Sequence, residues 1–293
     1  MLGDDARAEG EARTIQSADG LPLFVRDYAP TMPVTGLPVI CLHGLTRNSR
    51  DFELVAPRIA ALGRRVLALD VRGRGQSARD RDPTHYSPVV YTQDVLTILD
   101  RLGISRAVFL GTSMGGIITM VVAATQPARV AAAILNDVGP VLESAGYQRI
   151  AGYVGKNMEF PSAEAALAAI KSVQGSAYPD RDDLFWRNFM RRTCRTLQDG
   201  RVAFDYDQAI AQAFEGGAGP ADLTSLFESL AKTGPLLVVQ GALSDLLSAE
   251  GVDLMRIVKH DLQAVHVPGV GHAPTLEEET AWLAIIDFLA IVD

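Results

Sequence analysis

The sequence predicts an α/β protein: a mostly parallel, twisted sheet with helices on both faces and an inserted helical segment. Two observations carry this. Short, continuous apolar runs at 39–42, 66–69, 107–110 and 131–135 alternate with helix-length stretches. Strands buried on both faces of a parallel sheet have this uninterrupted apolar character, and the cadence implies right-handed strand–helix–strand crossovers. The alternation then stops at Pro140 and resumes at 236–239, leaving 140–234 as an insertion.

Taken in order, β-prone runs at 13–16 and 21–25 flank Ala18-Asp19-Gly20 and predict an opening hairpin. Helices are expected at 52–62, closed by Gly63, at 89–102, closed by Gly103, and at 114–126. Within the insertion the composition is helical at 164–172, 184–197, 207–214 and 222–232, with breakers at Gly175, Pro179 and Gly200 and no evident buried strand. The Gly216–Pro220 stretch is the candidate hinge. After the strand at 236–239 come a helix at 249–258, a strand at 264–267 and a last helix at 276–291. The expected organisation is a core made of 1–139 and 235–293 with a helical cap, or lid, at 140–234.

Composition narrows the function. Of 293 residues, 48% are apolar and 21% charged, which excludes a disordered chain. Lys and Arg number 27 against 35 Asp and Glu, a net charge of -8, and this argues against a nucleic-acid binder. Cys41 and Cys194 lie far apart with no CxxC pair, so neither a disulfide framework nor a zinc site is expected; Cys41 reads as a buried thiol. Residues 1–16 lack the apolar core of a secretory signal, and no apolar run is long enough for a membrane span, so the cytoplasm is the expected compartment. A homodimer is compatible with the chain.

The strongest chemical signal is Gly111-Thr112-Ser113-Met114-Gly115-Gly116, placed between an expected strand and an expected helix. A sharp strand-to-helix turn strains its central residue and leaves no room for side chains two positions away, which explains Gly111 and Gly115. Ser113 is therefore the expected nucleophile. His43-Gly44-Leu45, at the end of the first parallel strand, is expected to give the Leu45 N–H to an oxyanion hole shared with the N–H of Met114. The hydroxyl needs a base. Of five histidines, His85 and His260 lie in polar stretches, His266 lies within a strand and His43 belongs to the turn; His272, in a Gly/Pro-flanked loop after the last strand, is the expected base. The carboxylate that fixes its tautomer is expected at Asp245, after the strand at 236–239, with Asp137 as the rival. In Asp70-Val71-Arg72-Gly73-Arg74-Gly75-Gln76-Ser77 the two glycines beside the two arginines make a compact turn, in which Arg72 is expected to brace the neighbouring loops.

These features together, Ser113…Asp245…His272 in that order with the His43-Gly44 turn and the Asp70–Ser77 segment, resemble the α/β-hydrolase superfamily. Within it the similarity is to the capped branch that includes carboxylesterases, lactonases and meta-cleavage-product C–C hydrolases. The resemblance implies the α/β-hydrolase fold and hydrolysis of a small acyl substrate, an ester first, with a lactone or a C–C bond as alternatives, through an acyl-enzyme that needs no metal or organic cofactor. The sequence departs from the family pattern in two places. Asp245 stands one residue later than the usual Gly-x-x-Asp acid, behind Ser244, which keeps Asp137 open, and Thr112 replaces the Asn favoured by the C–C hydrolases. A serine at the elbow disfavours dehalogenases and epoxide hydrolases, which use a carboxylate there. His43, Gly44 and Trp186 are the expected substrate contacts; other aromatic residues of the insertion (Tyr147, Tyr153, Phe160, Phe185, Phe189) and Met190 are further pocket-wall candidates. A receptor on the same scaffold, binding without turnover, is the reading from another class, and transfer to an acceptor other than water is a third.

Overall fold

The computed structural model describes residues 10–156, 158–214 and 219–292. An opening hairpin, β1 (Glu11–Gln16) and β2 (Pro22–Tyr28), turns at Gly20, whose φ of 83° suits glycine. The parallel strands follow: β3 (Val39–Leu42), then α1 (Val55–Ala60), β4 (Val66–Leu69), α2 (Pro88–Arg101), β5 (Ala107–Thr112), α3 (Met114–Thr125) and β6 (Val130–Asn136). Ser87 caps α2 ahead of Pro88, and Gly63 and Gly103 take positive φ where α1 and α2 turn back, as their positions in the sequence predicted.

The insertion contains α4 (Ser144–Tyr153), β7 (Glu159–Phe160), α5 (Ala163–Gln174), α6 (Asp183–Thr193), β8 (Cys194–Thr196), β9 (Val202–Phe204) and α7 (Thr224–Ala231). It is thus less purely helical than its composition implied. The helix expected at 184–197 ends at Thr193, and the chain turns through Asp199-Gly200 so that β8 and β9 pair as a hairpin, with β7 on the other side of β9. Asp-Gly between β-prone residues is a hairpin signal, and Gly200 takes the positive φ it requires. The helix expected at 207–214 is a 3-10 helix over Gln208–Phe214, and α4 had no sequence prediction. Most of the candidate hinge, 216–218, lies outside the described residues, as does most of the N-terminal stretch read for a signal.

The core resumes with β10 (Leu236–Gly241), α8 (Ala249–Val258), β11 (Gln263–Val267) and α9 (Glu279–Ala290). The main sheet runs β1-β2-β4-β3-β5-β6-β10-β11, antiparallel across β1/β2/β4 and parallel from β4 onward. Alternate side chains feed two apolar layers: Ile40, Phe109 and Val238 face one layer with Ile118 and Phe227, while Cys41, Leu110 and Val239 face the other with Ile59 and Phe288. Both thiols are buried and free, and burial raises both; that of Cys194 is pushed up to about 12. Among the described residues no helix is long and apolar enough to cross a membrane.

Candidate active site

Ser113, Asp137, His272 and the Gly44-Leu45 turn converge where β3, β5, β6, β10 and β11 end, the edge at which a parallel sheet opens its loops. Ser113 sits between β5 and α3 with φ 52° and ψ −114°, a strained conformation for a residue with a side chain. The flanking glycines explain how the turn closes. A Cβ on Gly111 would lie 2.5 Å from the Gly115 carbonyl, and one on Gly115 would lie 2.1 Å from the Leu42 carbonyl oxygen. The turn is pinned by the Ser113 N–H donating to the Asn136 carbonyl at 2.9 Å. The Asn136 amide donates to Thr112 Oγ1 at 3.0 Å and to the Pro274 carbonyl at 2.8 Å, tying the His272 loop to the elbow.

His272 Nε2 lies 2.9 Å from Ser113 Oγ, and its Nδ1 lies 2.8 Å from Asp137 Oδ2. The Asp137 carboxylate is fully buried, and the His272 side chain is nearly so. Asp137 adopts φ 57° directly after β6, which swings its side chain across the end of β10. There Oδ1 accepts the Gly241 N–H at 2.8 Å, and Oδ2 accepts the Ser244 hydroxyl at 2.6 Å. Ser244 Oγ in turn accepts the N–H groups of Leu246 and Leu247.

The expectation that Asp245 contacts His272 is therefore corrected in favour of its rival. Asp245 turns outward to α4, where Arg149 grips it through Nε at 2.5 Å and Nη2 at 2.8 Å. These charge-assisted bonds hold its carboxyl below the usual carboxylate range, against a partial desolvation that pulls the other way. The one-residue displacement places Ser244 where its hydroxyl steadies Asp137.

Two expected substrate contacts are also displaced. His43 is fully buried behind the loop: Nδ1 bonds the Gly44 carbonyl at 2.7 Å, and Nε2 accepts the Val71 N–H at 3.1 Å. Accepting at Nε2 places the proton on Nδ1, and desolvation drives the ring's pKa down to about 4. It braces the loop and does not line the cleft. Trp186 is buried in a ring cluster with Tyr178, Phe185 and Phe189, and its neighbours Tyr178 and Phe189 form the wall instead. Gly44 and Leu45 do line the cleft, which occupies about 80 Å³ beside Ser113 and His272. The other histidines lie elsewhere: His266 bonds Gln240, His85 bonds Asp80, and His260 is exposed.

Arginines of the Asp70–Ser77 turn do more than their spacing suggested. Arg72 braces as expected, gripping Asp94 through two bonds of 2.6 Å and reaching Asp19 and Asp80. Arg74 is fully buried. It donates to the Leu45 carbonyl at 2.9 Å and the Tyr91 hydroxyl at 2.8 Å, and its remaining arm lies 3.5 Å from Met114 Sδ. One guanidinium thus touches both residues expected to form the oxyanion hole. Its neighbours Gly73 and Gly75 are bonded to the backbone of Asp207 and Asp205 in the insertion. Arg47, also missed, lies at the cleft wall with its guanidinium 3.9 Å above the Phe189 ring.

A family profile described as the alpha/beta hydrolase fold matches residues 38–279, and the chain belongs to that family. Its sequence is 36% identical over 252 residues to the 3-hydroxybutyrate-oligomer hydrolase of Cupriavidus necator, covering 83% of this chain and 85% of that one. It is 25% identical over 256 residues to the 2-(acetamidomethylene)succinate hydrolase of Mesorhizobium japonicum, 87% and 88% of the two chains. Among solved structures, an alpha/beta hydrolase from Novosphingobium aromaticivorans superposes with a TM-score of 0.89 at 45% identity, over 97% of this chain and 99% of that one. Hydrolases and esterases recur among the relatives, which supports an enzyme.

Proposed function

We propose that this chain is a serine hydrolase of carboxylic esters, with Ser113 as nucleophile, His272 as base and Asp137 as the acid that orients it. The observation that carries the reading is the unbroken relay of 2.9 Å and 2.8 Å from the Ser113 hydroxyl through His272 to a buried carboxylate. In this reading Ser113 Oγ adds to the ester carbonyl as its proton passes to His272 Nε2. The N–H groups of Leu45 and Met114 hold the resulting oxyanion. The imidazolium then protonates the departing alkoxide, leaving an acyl-serine. A water gives its proton to His272 and adds to the acyl carbon; the second tetrahedral intermediate then collapses to the free acid as His272 returns that proton to Ser113 Oγ. The Asp137 carboxylate, bonded to Nδ1, stabilises the transient imidazolium.

Residues 140–234 act as a cap in this account, because Ile150, Tyr153, Gln174, Tyr178 and Phe189 close the cleft opposite Ser113. The names of the relatives point to short acids: a hydroxybutyrate oligomer in one and a substituted succinate in another. The test is a panel of p-nitrophenyl esters of graded length, run beside lactones and a dienoate C–C substrate. Ester turnover that vanishes in Ser113→Ala supports the reading. Turnover of the dienoate alone would replace it with C–C hydrolysis, and turnover of nothing would favour a binding protein.

A further inference from the structure

Behind the catalytic cleft lies a second cavity of about 190 Å³ that shares Thr46, Arg47, Tyr153, Gln174 and Phe189 with it. Its floor is apolar, made by Phe160, Ile170, Val173 and Phe204. Its charged lining is one-sided: Arg47 and Lys156 are both cationic, and no carboxylate lines it among the described residues. In a protein of net charge -8 this is a local reversal of sign.

Arg47 is built to present donors. Asp51 takes the Nε and Nη2 edge, and Thr193 Oγ1 takes one Nη1 proton at 3.1 Å. A guanidinium has five N–H groups, so two are left over after these three. The Phe189 ring fixes the plane of the group, and Asp51 fixes its roll. Lys156, an exposed point charge, stands at the cavity wall as a second cation.

We propose that this rear cavity binds the far end of the substrate, and that this end is a carboxylate on a short apolar chain. The substrate class is then a monoester of a short dicarboxylic acid. Its scissile carbonyl sits at Ser113, its methylene or methyl groups lie on Phe160, Ile170, Val173 and Phe204, and its carboxylate meets Arg47 and Lys156. This rests on the ester-hydrolase reading above and adds to it a preference for acid-tipped substrates.

The experiment compares p-nitrophenyl butyrate with the p-nitrophenyl monoester of glutaric acid, in wild type, Arg47→Gln, Lys156→Gln and the paired Arg47→Met/Asp51→Asn variant. The paired variant removes both charges together, so no carboxylate is left unmatched. Wild type should favour the acid-tipped ester in kcat/KM by about 10-fold or more, the scale of one charged hydrogen bond in a shielded site. Each substitution should bring that ratio toward one, chiefly through KM, whereas Lys232→Gln, at the end of α7, should leave it alone. Equal use of the two esters by wild type, or a ratio unmoved by every substitution, overturns the proposal while leaving ester hydrolysis intact. Should neither ester react, glutarate and butyramide titrated against Ser113→Ala by NMR still decide it. Saturable shifts with glutarate alone, lost in Arg47→Gln, uphold the anion seat, and equal or absent shifts refute it.

Discussion

Replacing Asp137 by Asn should abolish most of the activity by reversing a single hydrogen bond. The backbone tolerates the change, because Asp137 sits at φ 57° and asparagine enters that region readily. The surroundings also dictate which way the amide faces. The Gly241 N–H, 2.8 Å from Oδ1, demands an acceptor, so the amide oxygen goes there and the NH2 group faces His272. Nδ1, now 2.8 Å from a donor, must accept. The imidazole proton is then forced onto Nε2, which lies 2.9 Å from Ser113 Oγ and can no longer take the serine's proton. The equivalent reversal in serine proteases costs about 10⁴ in kcat, or roughly 5.5 kcal/mol of barrier. Asp245→Asn loses only a partly exposed pair with Arg149 and should lower kcat/KM by less than about 5-fold, on the order of 1 kcal/mol. Steady-state kinetics on a reactive p-nitrophenyl ester, with circular dichroism to show that both variants fold, separates the two. An active Asp137→Asn beside an inactive Asp245→Asn would mean that Asp245, not Asp137, orients His272.

Gly115→Ala should fail to fold or lose several kcal/mol by denaturant titration, since its Cβ would sit 2.1 Å from a carbonyl oxygen of β3; near-native stability would contradict the tight elbow. Arg74→Met should lower kcat by about 10- to 100-fold with little change in KM, because it frees the Leu45 carbonyl and slackens the loop meant to carry one oxyanion donor. A KM effect alone would place Arg74 in substrate binding. His43 is a base whose pKa falls from 6.5 in the unfolded chain to about 4 when buried, so below pH 6.5 the unfolded chain takes up a proton that the folded one refuses. The stability it contributes is complete above pH 6.5 and declines as pH falls toward 4, by about 2 kcal/mol between pH 7 and pH 5. NMR of the ring should still show the neutral Nδ1–H tautomer at pH 5; a protonated ring there would contradict the buried brace.

The elements that position the site are legible in the sequence for a physical reason. β3, β4 and the first four residues of β10 are buried on both faces and must be apolar, and Ser113 and His272 stand in glycine-marked turns whose geometry demands those glycines. The carboxylate partner of His272 is not legible in the same way. Asp137 and Asp245 follow adjacent parallel strands, β6 and β10, so both reach the same edge, and the choice falls to a backbone angle and to Ser244. The one signal was the displacement of Asp245 by a single residue. His43 and Trp186 were misplaced because a polar ring at a strand end and a large ring on a helix each read as wall or as packing until their neighbours are known. The strands β7, β8 and β9 are two or three residues long, too short to show a period, although Asp199-Gly200 marked the turn between two of them. Arg47 and Arg74 escaped because a charged side chain in a loop ordinarily faces water, and only the packing around it reveals a buried role.

Whether Ser113 is an activated nucleophile is measured most directly by covalent labelling of the folded protein with a fluorophosphonate, followed by peptide mass spectrometry. A hydroxyl whose proton is drawn off by His272 should form a single adduct on Ser113, quickly in wild type, slowly in Asp137→Asn and not at all in Ser113→Ala. Folded wild-type protein that stays unlabelled, or that carries the adduct on another residue, would contradict the account.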